Sequence, residues 1–136
     1  MRIVVDASVV LKWVVSEADS EAAAALRADD LIAPSLWLAE VANALWRRVR
    51  LREITADEAS QRMSELAGAP VASMPLDPYV EVALKLGTEL GHPVYDCFYA
   101  AVALARDTYV VTADRRFAAA AAVPWLAGRV RLLGAP

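Results

Sequence analysis

Short runs rich in β-branched and other apolar residues recur along this chain, separated by segments in which apolar residues return every three or four positions. The runs are typical of strands buried in a parallel sheet, and the segments are typical of helices. The predicted strands cover residues 2–5, 31–33, 71–75, 108–112 and 130–133. The longer predicted helices cover residues 20–28, 36–52, 56–67, 77–90 and 94–106. This alternation predicts an α/β fold: a three-layer sandwich with a mainly parallel central sheet of four to five strands flanked by helices.

Capping residues predict where several of these helices begin and end. Ser35 is predicted to cap a helix that starts at Leu36. Thr55 and Glu58 have the spacing of a capping box at the start of the next helix. Gly91 is predicted to end the helix that covers residues 77–90.

Composition limits the classes of protein to which the chain can belong. Its 136 residues suit one domain, 1–136. No stretch approaches the ~20 apolar residues of a membrane helix, and the first strand leaves no room for a signal peptide. The single cysteine, Cys97, permits no internal disulfide, so we expect a cytoplasmic protein without membrane contact. A net charge of −3 argues against general capture of nucleic acid but permits a local basic strip.

Four carboxylates lie at predicted strand ends or helix starts. Asp6 ends the first strand, and Asp114 follows the strand at 108–112. Glu40 lies in the second turn of its predicted helix, and Asp96 lies in the first turn of its own. If the sheet is parallel, all four face its carboxyl edge, where open α/β sheets bind ligands.

A cluster of carboxylates requires a counter-charge, because carboxylates held close together raise each other's pKa. Oxygen ligands without a nearby histidine or cysteine favour Mg²⁺, or Mn²⁺, over Zn²⁺. Ser8 and Thr112, each two residues from an acid, offer hydroxyls that could bind the ion or orient water. Such a site indicates phosphoryl-group hydrolysis, in which a divalent ion activates water and neutralises charge on the departing oxygen.

Each acid also has a purely structural interpretation. Asp6 and Asp114 could cap helices, and Asp96 gains from the helix dipole without any chemistry. Glu40 could be a solvated residue paired with Arg47, seven positions later. The functional interpretation is favoured because all four acids lie at strand ends or helix starts, and apolar residues adjoin three of them in the sequence, so each of those three charges lies against the predicted core.

The other reactive residues favour no competing mechanism. His92 is the only histidine, which excludes a two-histidine mechanism, and it lies in a Gly-His-Pro turn without a nucleophile motif. Cys97 is predicted to be a small buried residue rather than a nucleophile. No phosphate-binding glycine loop is present.

Four segments around these acids resemble the motifs of the PIN-domain family, specifically its VapC-type toxin ribonucleases of bacterial toxin–antitoxin pairs. The segments are IVVDAS at 3–8, EVANAL at 40–45, YDCFYAAVALA at 95–105 and TADRRF at 112–117. Each motif alone is weak, but four in order at the right spacing are specific.

The resemblance implies an acidic quartet that binds one or two Mg²⁺ or Mn²⁺ ions and cuts structured RNA, often tRNA or rRNA. It also implies a homodimer and a small VapB-type antitoxin that blocks the metal site. The implied quartet is Asp6, Glu40, Asp96 and Asp114, with Ser8 and Thr112 as supporting residues and Asn43 lining the same groove.

Several residues offer surfaces for these partners. Arg47 and three neighbouring arginines form a basic helix end that could contact phosphates, and a solvated helix end is the competing interpretation. Arg115 and Arg116 follow Asp114 and could steady a substrate. Trp37 and Trp46 lie off the main apolar stripe of their helix, where either a dimer or antitoxin contact or burial in the core would explain them.

Two functions of other classes remain open at this point. In an aspartate-nucleophile phosphatase-like hydrolase, Asp6 would bond covalently to the substrate. The phosphatase form of that chemistry needs a second acid two residues later, and Ser8 stands there instead. In a non-catalytic binding module, the acidic edge would hold an arginine of a partner.

Overall fold

A parallel sheet forms the centre of the protein, which a computed structural model describes over residues 2–135. The strands are β1 Arg2–Val5, β2 Asp30–Pro34, β3 Val71–Met74, β4 Val110–Thr112 and β5 Val130–Leu132. Within residues 2–135 these five strands form one sheet in the order β3-β2-β1-β4-β5, and each neighbouring pair is parallel. The predicted parallel sheet is confirmed.

Helices connect every strand to the next. They are α1 Ala7–Val10, α2 Ser20–Ala25, α3 Trp37–Arg50, α4 Ala56–Glu65, α5 Val80–Leu90, α6 Val94–Ala105 and α7 Arg115–Ala120. Short 3-10 turns extend several of them, for example at Leu66–Gly68 after α4 and at Asp77–Tyr79 before α5. None of the helices within the described residues is long and apolar enough to cross a membrane.

The path of the chain places these helices on both faces of the sheet. The chain moves from β1 outward to β3, then crosses back to β4 and continues to β5. Because crossovers between parallel strands are right-handed, α1–α4 lie on one face and α5–α7 on the other. Contacts agree, since α3 packs against α1 and α4, whereas α6 packs against α5 and three central strands. The predicted three-layer arrangement is therefore confirmed.

The core lies on either side of the central strand β1. Val4 and Val5 are completely buried there, as expected for a strand covered on both faces. Beneath them α6 contributes an unbroken buried stretch, residues 97–103. The strand and this helix therefore fix the two elements from which Asp6 and Asp96 project.

The start of α3 differs from the sequence prediction. The backbone N–H of Ser35 donates to Met74 at 2.8 Å, so Ser35 continues the pairing of β2 with β3 instead of capping the helix. Leu36 occupies the N-cap position without a side-chain hydrogen bond. The predicted Ser35 cap is wrong, and Glu40 lies in the first turn of α3 rather than the second.

The two tryptophans of α3 have different environments. Trp37 is 3% exposed, and its indole N–H donates to the Ser73 hydroxyl at 2.9 Å. Trp37 is therefore a core residue, and its interpretation as a partner contact is wrong. Trp46 is 54% exposed and remains available at the surface.

The capping box at the start of α4 is confirmed. Thr55 Oγ1 accepts from the backbone N–H of Glu58 at 3.1 Å, and the Glu58 carboxylate accepts from the Thr55 N–H at 3.0 Å. These reciprocal bonds satisfy two N–H groups that the helix itself leaves unpaired.

Thr55→Ala is expected to lower the free energy of unfolding by about 1 kcal/mol, because it removes the hydroxyl of this box. Urea denaturation followed by circular dichroism measures the loss. Ser60→Ala, an exposed substitution inside the same helix, is the control and should be neutral or slightly stabilising. Equal stability of the two variants would contradict a contribution from the cap.

Candidate active site

The strand order creates a crevice at the carboxyl edge of the sheet, between β1 and β4. The chain leaves β1 toward β2 and β3, but it leaves β4 toward β5 in the opposite direction. Open α/β sheets bind ligands at such a switch point. Asp6 directly follows β1 and Thr112 ends β4, so both residues lie at this crevice.

Asp6 is almost completely buried at this point, with 4% of its surface exposed. It occupies the N-cap position of α1, and the nearby backbone N–H of Ser8 lowers its pKa in part, but its side chain makes no capping hydrogen bond of normal geometry. Its Oδ2 instead accepts hydrogen bonds from the hydroxyls of Ser8 and Thr112, the latter at 2.9 Å. Burial raises the pKa of Asp6 to about 6, although the two hydroxyl donors lower it in part.

The hydroxyls that hold Asp6 also join the ends of β1 and β4. Ser8 Oγ lies 3.3 Å from Thr112 Oγ1 and accepts from the Ala113 N–H at 3.0 Å. Thr112 Oγ1 accepts from the N–H of Asp114 at 3.0 Å. Ser8 and Thr112 therefore lie beside the acid that the sequence predicts them to support, while a part in catalysis stays a prediction.

Glu40 projects from the first turn of α3 toward α6. Its Oε1 accepts a hydrogen bond of 2.6 Å from the phenol of Tyr99, which is itself fully buried. Burial raises the pKa of Glu40 to about 7, and the charges of Asp6 and Asp96 add to this rise. Among the described ion pairs, none joins Glu40 to Arg47, so that structural interpretation is wrong.

Asp96 projects from the first turn of α6, as predicted. Its Oδ2 lies 2.6 Å from Nε2 of His92, and both side chains are largely buried. The charge of Asp96 contributes to the raised pKa of both Asp6 and Glu40. The structure therefore brings these three predicted acids within electrostatic reach of one another.

Asp114 lies at the edge of this group rather than within it. Its Oδ1 caps α7 by accepting from the backbone N–H groups of Arg116 at 2.9 Å and Phe117 at 3.2 Å. Its charge is not among those that raise the pKa of Asp6 or Glu40. The capping interpretation thus holds for Asp114, and Thr112 is its link to the other acids.

The chemistry of the three grouped acids fits a divalent cation. In each carboxylate the side-chain hydrogen bonds engage one oxygen only: Oδ2 of Asp6, Oε1 of Glu40 and Oδ2 of Asp96. Over residues 2–135, none of the three pairs with a lysine or arginine. Oxygen donors that lack a counter-charge are what Mg²⁺ and Mn²⁺ bind.

The acidic side chains stand apart from one another rather than around one common point. In the part of the chain that the structure describes, no three acidic, histidine or cysteine side chains are close enough to hold an ion as they stand. Binding an ion therefore requires side-chain movements toward a shared centre.

A groove of about 350 Å³ adjoins Glu40 along the outer side of α3. Its walls are Leu36, Ala39, Glu40, Asn43, Arg47 and Tyr95. Asn43 and Arg47 are exposed in it, and Tyr95 is 69% exposed beside Asp96. The groove thus places Glu40 beside a neutral amide, a cation and an aromatic ring.

Some arginines of α3 contact other side chains of the protein, whereas those at the start of α7 are exposed. Arg48 is bound to Glu17 at 2.8 Å, and Arg50 lies over the ring of Trp46. Arg115 and Arg116 are exposed in the first turn of α7, directly after Asp114. Arg47, Arg115 and Arg116 are therefore accessible, as their predicted contact with RNA requires.

Two partners of the acids were not predicted from the sequence. His92 lies in the turn just before α6, four positions before Asp96, and this closeness in sequence could have indicated the contact. Tyr99 and Glu40 are 59 positions apart, and no local signal joins them. Cys97 is completely buried, and burial raises the pKa of its thiol to about 11, in line with the predicted filler role.

Comparisons with known proteins agree with this architecture. The family model described as "PIN domain" matches residues 3–123. Ribonuclease VapC3 of Pyrobaculum aerophilum is 36% identical over 123 residues, covering 87% of this chain and 93% of that protein.

Solved structures show the same fold. The crystal structure of PAE2754 from Pyrobaculum aerophilum has a TM-score of 0.72 and 25% identity, covering 96% of this chain and 83% of that one. VapC20 of Mycobacterium tuberculosis, described as a sarcin-ricin loop cleaving toxin, has a TM-score of 0.66 and 19% identity, covering 89% of this chain and 96% of that one. With the family model matched over most of its length, this chain belongs to the PIN-domain family.

Proposed function

We propose that this protein is a metal-dependent endoribonuclease that acts as the toxin of a type II toxin–antitoxin pair. The relative with which it shares 36% identity is named a ribonuclease, VapC3. The resemblance of the four motifs to VapC-type toxins implies a VapB-type antitoxin. The proposed ligands of Mg²⁺ or Mn²⁺ are Asp6, Glu40 and Asp96, with Asp114 completing the site at its edge.

One observation carries this proposal: Asp6, Glu40 and Asp96, none of which pairs with a lysine or arginine among residues 2–135, lie within electrostatic reach of one another at the switch point of a parallel sheet. Burial and mutual repulsion raise the pKa of Asp6 and of Glu40. Keeping such groups charged in a folded protein is costly unless a positive charge is supplied. A divalent cation supplies that charge from outside the chain.

Hydrogen bonds within the chain orient two of the proposed metal ligands. Ser8 and Thr112 fix one oxygen of Asp6, and Tyr99 fixes one oxygen of Glu40. When bound, a divalent ion activates water for attack on phosphorus and neutralises charge on the departing oxygen.

The accessible arginines are proposed to hold the RNA around this centre. Arg47 lines the groove beside Glu40, and Arg115 and Arg116 are exposed beside Asp114; we propose that these three side chains contact phosphates of the RNA. The amide of Asn43 is proposed to contact the same strand, for which tRNA and rRNA are the expected sources. The place of action is then the cytoplasm.

The exposed surface of α3 is proposed to serve the protein partners. Trp46 is 54% exposed, and large aromatic residues are enriched in the buried part of protein interfaces. A homodimer or the antitoxin would cover it.

The burial of Asp6 argues against the phosphatase-like alternative. A nucleophilic aspartate must reach the substrate, whereas Asp6 is 4% exposed and has an oxygen bound to two hydroxyls. The position two residues later holds Ser8, which donates to Asp6 instead of acting as an acid.

Asp6→Asn and Asp96→Asn are each expected to lower the rate of RNA cleavage by about 100-fold or more, because each removes a proposed metal ligand. Loss of a residue that only hydrogen-bonds to a ligand typically costs ~10–100-fold. Cleavage of purified tRNA and rRNA with Mg²⁺ or Mn²⁺, followed on denaturing gels, measures the loss. EDTA should stop the wild-type reaction. Asp29→Asn, an exposed acid outside the site, is the matched control and should cleave normally. Unimpaired cleavage by both site variants would refute the assignment.

Mn²⁺ is expected to raise the melting temperature of the wild-type protein, since it relieves the repulsion among the acids. An ion at about 100 times its Kd adds about 2.7 kcal/mol of stability. Differential scanning fluorimetry with and without Mn²⁺ measures the shift, which Asp6→Asn should largely abolish and Asp29→Asn should retain. The same Mn²⁺ shift in wild type and Asp6→Asn would count against metal binding at this site.

Arg47→Ala, made in the inactive Asp6→Asn background, is expected to weaken RNA binding and to lower the salt slope of log K by about 1, the loss of one phosphate contact. Fluorescence anisotropy with a labelled RNA at several salt concentrations measures both quantities. Arg62→Ala on α4, outside the groove, is the control. An unchanged slope would show that Arg47 does not contact the backbone.

A further inference from the structure

A tight turn between α5 and α6 brings the only histidine of the chain against one of the acids. His92 Nε2 lies 2.6 Å from Oδ2 of Asp96, and the two side chains are 12% and 20% exposed. An ionised carboxylate can only accept, so the imidazole N–H is the donor. The proposed function gives this histidine no part.

The turn is built so closely that His92 has little freedom to move. Gly91 has a φ of +62°, a left-handed conformation that glycine adopts without strain. The His92 N–H donates to Gly87 at 3.2 Å. A Cβ at Gly87 would lie 3.0 Å from the His92 carbonyl oxygen and 3.2 Å from Val94 Cγ2, so the absence of a side chain there permits the close approach.

The imidazole ring is also held from a second element. It stacks on the ring of Phe117, with centroids 5.5 Å apart and planes 19° from parallel. Phe117 is completely buried in α7, the helix that Asp114 caps. The donor is therefore fixed by backbone on one side and by a core aromatic on the other before any ligand arrives.

We infer that His92 is a positioning residue that holds the Asp96 carboxylate in the orientation needed for metal binding. This inference rests on the proposed function, because it takes Asp96 as a ligand. Because its Oδ2 accepts the hydrogen bond from His92, the Asp96 carboxylate has less freedom to rotate. Less conformational entropy of this side chain is then lost when the acids move together to bind an ion. Hydrogen-bond partners of this kind typically contribute about 10–100-fold to metal affinity or activity.

The test compares two substitutions that separate the hydrogen bond from the ring. His92→Phe keeps an aromatic ring against Phe117 but removes the donor, whereas His92→Gln keeps an N–H donor and loses the ring. Calorimetric titration of the full chain with Mn²⁺, without RNA, gives the affinity directly. His92→Phe should bind Mn²⁺ about tenfold more weakly, and His92→Gln should lie closer to wild type than to His92→Phe.

A double-mutant cycle with Asp96→Asn separates positioning from general damage. If His92 acts through Asp96, His92→Phe costs no further Mn²⁺ affinity once Asp96 is replaced. His92→Ala takes the place of His92→Phe in the same cycle if the latter does not fold in EDTA.

The outcomes distinguish this inference from the proposed function. Wild-type affinity in His92→Phe, or a full additional loss in the double variant, would overturn the positioning role alone. A wild-type protein that binds no Mn²⁺ would overturn the proposed function and the positioning role together.

Discussion

The arrangement of this protein depends on the electrostatic cost of carboxylates held at the edge of an apolar core. Asp6 directly follows Val4 and Val5, which are completely buried, so its charge stands at the end of the best-covered strand. The sheet fixes that position, because the strand order reverses between β1 and β4. Glu40 and Asp96 approach from helices on opposite faces, so the packing of the fold brings their charges into reach of Asp6. An electrostatic cost is thus built into the fold, and relieving it is the physical basis of the proposed metal site.

The polar neighbours of these acids reduce that cost without removing it. Hydroxyls hold Asp6 and Glu40, and an imidazole holds Asp96, each through one oxygen. A neutral donor lowers the pKa of a carboxylate less than an ion pair with arginine or lysine would. A salt bridge in the same place would satisfy the acid and compete with an ion. The hydroxyl donors orient Asp6 and Glu40 and leave most of their negative charge available.

The sequence predicted the features that depend on residues close together in the chain, such as strands and a helix cap. It missed several contacts between residues far apart in the chain. Runs of apolar residues indicated the strands, and Thr55 with Glu58 indicated the start of α4, because both signals lie within a few residues. Ser35 failed as a cap since its backbone pairs with β3, 39 positions later at Met74. Trp37 lies off the main apolar stripe of α3, but it is buried, and its indole N–H donates to Ser73 on β3. The same limit hid Tyr99 beside Glu40, and it left Asp114 undecided between a cap and a ligand.

The distribution of charge connects the proposed metal to the proposed substrate. Acids occupy the crevice, and exposed arginines at positions 47, 115 and 116 lie around it, although the chain carries a net charge of −3. The arginines attract phosphates, but a phosphodiester brought to the crevice would meet the same repulsion that raises the pKa of Asp6 and Glu40. A divalent cation held by Asp6, Glu40 and Asp96 would offset that repulsion. On this argument, the proposed binding of RNA by the arginines would be separable from its proposed cleavage at the acids, and only cleavage would depend on the ion.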